Sequence, residues 1–180
     1  MHSIEELERQ IRNVPDFPIE GVVFKDITTL LTHPGSLRDT ADHLLAASGS
    51  FDYDAVAAIE SRGFIFGSLM AAEDDLPLVL IRKPGKLPAE TISREYALEY
   101  GTNTVEMHRD ALPGGSRVLI VDDLIATGGS ALAAAHLIRE AGCTVAGAAF
   151  VIDLQFLGGG KRLRRDGVEY TALIEVLSEG

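Results

Sequence analysis

Val118-Leu119-Ile120-Val121 is an unbroken apolar run, mostly β-branched, that leads straight into Asp122-Asp123 and then into Ala126-Thr127-Gly128-Gly129-Ser130. Apolar residues without polar alternation read as a strand buried on both faces, the pattern of a parallel sheet covered by helices on each side. The two acids fall at the carboxyl end of that strand, where open α/β sheets bind their ligands. The glycines that follow let backbone N–H groups approach an anion closely, and the helix they open adds its positive end. Thr127 and Ser130 supply hydroxyl donors. Carboxylates repel a phosphate, so the acids must face a different part of the ligand. Vicinal sugar hydroxyls suit them, with the adjoining loop holding a phosphate ester on the same sugar.

The rest of the chain fits this frame. Ser3-Ile-Glu-Glu6 has capping-box spacing and opens an amphipathic helix over residues 3–12. Pro15 and Pro18 then mark turns, and Gly21 to Thr28 reads as an extended segment. A helix is expected over 37–47, a buried strand over 55–59, a helix to about residue 72 and a strand over 78–81. Pro84 to about Asp110 mixes Gly, Pro, Thr, Ser and Tyr with charges and has weak periodicity, so it reads as a mobile flap. Within it, 96–100 and 103–107 could pair as a hairpin. The helix over 130–141 places Ala131, Ala134, Ala135 and Ile138 on one face. Strands over 145–154 and 168–176 are expected, joined by a flexible Gly158-Gly-Gly-Lys-Arg turn. Alternation of strands and helices predicts an α/β fold with a central, mainly parallel sheet flanked by helices. The 180 residues suffice for one domain.

Composition narrows the function. A net charge of −11 argues against nucleic-acid binding and makes any anionic ligand depend on local basic residues. Arg82, Lys83 and Lys86 are clustered, and Arg62 stands between a strand and a glycine-bearing helix start. On residues alone, Arg62 suits a surface ion pair as well as an anion contact. No apolar run approaches a membrane span, and the first residues lack a secretory pattern, so a cytoplasmic protein is expected. Cys143 reads as an inert, at least half-buried thiol. Gly158-Gly-Gly-Lys161 fails the P-loop pattern, because Arg162 stands where Ser or Thr is required. The five histidines show no paired metal spacing.

The run from Val118 to Ser130 resembles the ribose-phosphate signature of the type I phosphoribosyltransferases. Three further segments resemble the adenine-using members: Glu60-Ser-Arg-Gly-Phe-Ile-Phe-Gly67, their pyrophosphate loop; Gly21-Val-Val-Phe-Lys-Asp-Ile27, their hood; and Leu98-Glu-Tyr-Gly101 in the flap. The resemblance covers roughly Pro15 to Ile152. It implies a hood over about residues 1–33, a flap over about 84–110, and a cis bond between Glu60 and Ser61. It implies transfer of phosphoribose from 5-phosphoribosyl-1-pyrophosphate to adenine, giving AMP and pyrophosphate. Asp122 and Asp123 would orient the ribose. Ala126, Thr127, Gly128, Gly129 and Ser130 would bind the 5′-phosphate, the loop with Arg62 the pyrophosphate, and Lys83 and Lys86 would bind substrate from the flap that closes over it. Phe24 would stack on the base while the backbone at Val23 and Lys25 reads its edge. Glu99 would assist proton transfer, with Tyr100 beside it. Magnesium would be held mainly by substrate and water, without direct protein ligands, and the protein would be a homodimer.

Lys25 stands where other members often carry Arg. Phe24 equally suits a core aromatic, and Glu99 a solvated hairpin residue. Two other readings share the ribose-phosphate loop: a transferase for hypoxanthine, guanine or xanthine, and a non-catalytic sensor of phosphoribosyl pyrophosphate.

Overall fold

A computed structural model of the chain describes residues 1–97 and 101–178. Helix α1 (Ile4–Gln10) starts at the expected capping box, with Ser3 and Glu6 each satisfying the other's backbone N–H. Strands β1 (Arg12–Pro15) and β2 (Val23–Asp26) pair antiparallel, placing Val14 opposite Phe24 and Asn13 opposite Lys25. The short helix α2 (Thr28–Leu31) and the longer α3 (Ser36–Ser48) follow.

The main sheet comprises β3 (Ala55–Ile59), β4 (Leu78–Ile81), β7 (Arg117–Ile125), β8 (Thr144–Leu154) and β9 (Tyr170–Val176). Its order is β4-β3-β7-β8-β9 and every pairing is parallel, as the apolar runs predict. Helix α4 (Gly63–Glu73) links β3 to β4, and α5 (Gly129–Glu140) links β7 to β8. Side chains alternate across β7. Val118 and Ile120 pack with Ala131, Ala134, Ala135 and Ile138 of α5 on one face, whereas Leu119 and Val121 pack with Phe66 and Met70 of α4 on the other. Helices therefore cover both faces, and both acids are carried to the carboxyl edge of the central strand.

Three expectations need correction. Strand β7 continues past the acids, because Leu124 and Ile125 keep their pairing with Ile152 and Asp153 of β8. The flap is chiefly a hairpin of β5 (Thr91–Ala97) and β6 (Thr102–His108), longer than the periodicity suggests. Its base is core rather than loose loop, since Ile92, Val105 and Met107 are buried with the α5 side of the sheet. The Gly158-Gly-Gly-Lys-Arg segment is not a plain turn either. After a short 3₁₀ turn (Gln155–Leu157) it forms helix α6 (Gly159–Arg165), with Gly158 in the left-handed region that glycine adopts without penalty. Cys143 is buried, as read from the sequence.

Candidate functional site

The starts of α4 and α5 both open onto one cavity of about 370 Å³ at the carboxyl edge of the sheet. Asp122 and Asp123 lie in its wall, with Ser61 and Arg62 from the β3–α4 turn and residues 126–130 from the β7–α5 turn. The Glu60–Ser61 peptide is cis, as the resemblance implies. Two helix N-termini thus bring unpaired N–H groups and positive dipole ends to the same space. A protein of net charge −11 gains here a local attraction for anions.

Packing holds these turns close to the acids. Gly63, first residue of α4, sits so near β7 that a methyl group there would lie 2.7 Å from the Val121 carbonyl oxygen and 2.9 Å from Asp122 Oδ1. Gly129 is similarly pressed on the flap, with a methyl there 2.8 Å from the Tyr96 ring. Gly128 has a φ of +80°, which an L side chain adopts only with strain.

The acid pair is electrostatically divided. The Asp123 Oδ2 accepts a hydrogen bond from Arg62 Nε at 2.5 Å, an ion pair with the carboxylate 4% exposed. Burial first, and then the charge of Asp123, push the Asp122 carboxyl well above the usual carboxylate range. Asp122 Oδ1 accepts the Asp123 backbone N–H at 2.8 Å. Arg62 is desolvated, which opposes its charge, but Asp123 outweighs this and pushes its pKa up. The same guanidinium lies 5.7 Å from the Phe24 ring centroid, linking the acid pair to β2.

Arg62, Lys83 and residues 126–130 therefore meet Asp122 and Asp123 around one cavity. Phe24 is half-buried beside Arg62 and edge-on to Phe17, outside the main core. Val23 pairs with Pro15. Lys25 Nζ donates to Asn13 Oδ1 at 2.8 Å, across the β1–β2 pair. Lys86 is exposed and absent from the cavity wall, although its carbonyl accepts from Arg82 Nη1. Glu99 and Tyr100 lie outside the described residues.

Sequence reasoning overlooked Tyr96 and Leu124 in the cavity wall, and Glu60. Glu60 accepts from Arg82 Nε and the Lys83 N–H, so it fixes the strand end that carries Lys83. Burial opposes its ionisation, but the Lys83 amide and Arg82 outweigh that and lower its pKa. The signal for Glu60 was its place in the β3–α4 turn, which was read only for Arg62.

A doubly covered parallel sheet whose central strand delivers paired acids between two glycine-bearing helix starts defines a class: α/β proteins with a ligand cleft at the carboxyl edge of the sheet. Residues 26–173 match the model of the phosphoribosyl transferase domain. The chain belongs to the phosphoribosyltransferase family. It is 53% identical over 172 residues to an adenine phosphoribosyltransferase of Erythrobacter litoralis, an alignment spanning 96% of this chain and 97% of that relative. Its fold is similar to the crystal structure of the adenine phosphoribosyltransferase of Thermoanaerobacter pseudethanolicus (TM-score 0.91, 44% identity, 96% of this chain and 99% of that one). It is also similar to the Saccharomyces cerevisiae adenine phosphoribosyltransferase solved with an imino-altritol bisphosphate and adenine (TM-score 0.87, 37% identity, 94% and 97% covered).

Proposed function

We propose that this chain transfers the 5-phosphoribosyl group from phosphoribosyl pyrophosphate to adenine, releasing AMP and pyrophosphate. The observation that carries the reading is the acid pair set between two glycine-bearing helix starts around one cavity. The N–H groups at 126–130 bind the 5′-phosphate, and the 60–63 turn with Arg62 and Lys83 binds the diphosphate. Held at both ends, C1′ is presented to the base, and positioning converts a bimolecular encounter into an oriented one. The N9–C1′ bond forms as the C1′–oxygen bond to pyrophosphate breaks, its electron pair leaving with pyrophosphate, and the N9 proton passes to a base, the role that the family resemblance gives Glu99. Positive charge developing on the sugar is stabilised chiefly by the Asp123 carboxylate, and Asp122 and Asp123 both hydrogen-bond its hydroxyls.

Arg62 has two claims on it, since a diphosphate competes with Asp123 for the guanidinium. Binding of the diphosphate therefore frees the Asp123 carboxylate for the ribose. Phe24 and the backbone at Val23 and Lys25 receive the base. Glu99 and Tyr100 take the flap roles given by the family resemblance, with Lys86 approaching when the flap closes.

Among the described residues no three His, Cys, Asp or Glu side chains converge on one point, and Asp123 is occupied by Arg62. Asp122 and Asp123, in the cavity wall, are the carboxylates that would face a magnesium ion brought in with the substrate. A bound magnesium ion would neutralise negative charge on the leaving diphosphate. No described helix is long and apolar enough to cross a membrane. The reading also treats the chain as a single catalytic domain, cytoplasmic and homodimeric.

The similarity to adenine-using relatives favours adenine over hypoxanthine, guanine or xanthine. Incubation with magnesium, phosphoribosyl pyrophosphate and each base separately tests this. AMP formed from adenine is the expected product. Another nucleotide formed preferentially would move the specificity, and no nucleotide from any base would favour a sensor.

A further inference from the structure

Helix α6 contributes nothing to the cavity wall, yet it touches the back of the 126–130 turn at two successive peptides. The Gly159 N–H donates to the Ala126 carbonyl at 3.0 Å, and Arg162 Nη1 donates to the Thr127 carbonyl at 2.7 Å. In a trans peptide the carbonyl and the following N–H point in opposite directions. Holding these two carbonyls on α6 therefore turns the N–H groups of Thr127 and Gly128 away from the donors that grip them, in a turn that lines the cavity. Without such a hold, either peptide could rotate and present a carbonyl oxygen to the incoming phosphate, replacing attraction by repulsion.

Glycine is needed for the approach. A methyl on Gly159 would lie 2.3 Å from the Ala126 carbonyl oxygen and 2.7 Å from the Gly128 nitrogen. On Gly160 it would lie 2.0 Å from the Tyr170 hydroxyl oxygen. That hydroxyl donates to the buried Asp153 at 2.7 Å, so α6 is seated on the end of β8 while it bears on the turn. Gly159 and Gly160 are the consequence of this double contact, and Gly158 before them serves the left-handed turn.

We propose that Arg162 is a positioning residue for the 5′-phosphate: it fixes the orientation of the Thr127–Gly128 peptide and thereby polarises the turn toward anions. The inference rests on the proposed function, because it assumes that this turn receives the phosphate. It predicts a selective defect. Loss of Arg162 weakens ligands carrying a 5′-phosphate and spares pyrophosphate, which binds at the 60–63 turn. A charged hydrogen-bond donor to a carbonyl is among the stronger ones, so a loss of about tenfold in affinity is expected.

The test is calorimetric titration of AMP and of pyrophosphate with magnesium into wild type, Arg162→Ala and Arg162→Lys. Arg162→Ala should bind AMP about tenfold more weakly with pyrophosphate affinity unchanged. Arg162→Lys should recover part of the AMP affinity, because an ammonium group still donates. In turnover, KM for phosphoribosyl pyrophosphate should rise more than kcat falls. Equal weakening of both ligands, with a matching fall in melting temperature, would mean that Arg162 only supports the fold, and unchanged AMP affinity would likewise overturn the proposal. Wild type that binds neither ligand would instead overturn the functional reading.

Discussion

Replacing Gly63 by alanine separates the close packing of the site from the stability of the fold. The added methyl would sit 2.7 Å from a backbone carbonyl of β7 and 2.9 Å from an Asp122 oxygen. Neither neighbour is the free end of a flexible chain, so the β3–α4 turn must move. Overpacking of this kind costs about 1–3 kcal/mol, against which alanine recovers about 0.5–1 kcal/mol of intrinsic helix preference. The net loss is about 0–2.5 kcal/mol, or up to about 10 °C in melting temperature for a chain of this size. Activity should suffer more, because the displaced turn carries Arg62 and lies against Asp122. A shift approaching about 1 Å in a reacting geometry costs about 100-fold, so kcat/KM should fall between about 10- and 100-fold. Thermal melts and steady-state kinetics measure both. Gly114→Ala is the control, since its nearest neighbour, the Gly142 carbonyl oxygen, would be 3.9 Å away. Wild-type kcat/KM in Gly63→Ala would refute the claim that turn and acid pair must stay this close.

The double change Asp122→Asn and Asp123→Asn should reduce turnover by at least about 100-fold while far-ultraviolet circular dichroism stays native, because both groups face the cavity. Asp26 accepts from the Thr28 hydroxyl and from Arg12, which together with the Thr28 N–H hold its pKa down at about 2. Its folded pKa being depressed, its contribution is present above the ordinary aspartate range and is lost as pH falls toward about 2. Melting temperatures of Asp26→Asn should therefore lie below wild type at pH near 6 and converge with it in strong acid; a gap independent of pH would contradict this. Burial first, and then Asp153, push the Tyr170 hydroxyl up to about 12, so it remains a donor at all working pH values. Tyr170→Phe leaves both Asp153 carboxyl oxygens without a partner, at a cost of about 1–3 kcal/mol that a thermal melt would register.

The sheet was legible because its strands are buried on both faces and need continuous apolar runs, which Val118 to Val121 and Ala55 to Ile59 supply. Helix α1 was legible from its cap, and α5 from the spacing of its alanines. The flap hairpin was harder to read, since Ile92, Val105 and Met107 reach the core from two strands separated by a turn. Periodicity within either strand carries little of that long-range pairing. The site was legible where function sits in a contiguous turn, at 60–63 and 122–130. Helix α6 was not, because three glycines signal flexibility locally and reveal a close approach only when Ala126 and Tyr170 are in place. Arg162 thus looked like the residue that disqualified a P-loop, whereas its partner is a carbonyl distant in sequence.

In the proposed complex the pentose of a phosphorylated substrate lies on the acid pair and its phosphate in the adjoining turn. A crystal structure of the protein with AMP tests this most directly. The ribose hydroxyls should lie within hydrogen-bonding distance of Asp122 and Asp123, and the 5′-phosphate should be surrounded by the N–H groups of residues 127–130. Density for AMP elsewhere, with the turn unoccupied and Asp123 still paired to Arg62, would contradict it.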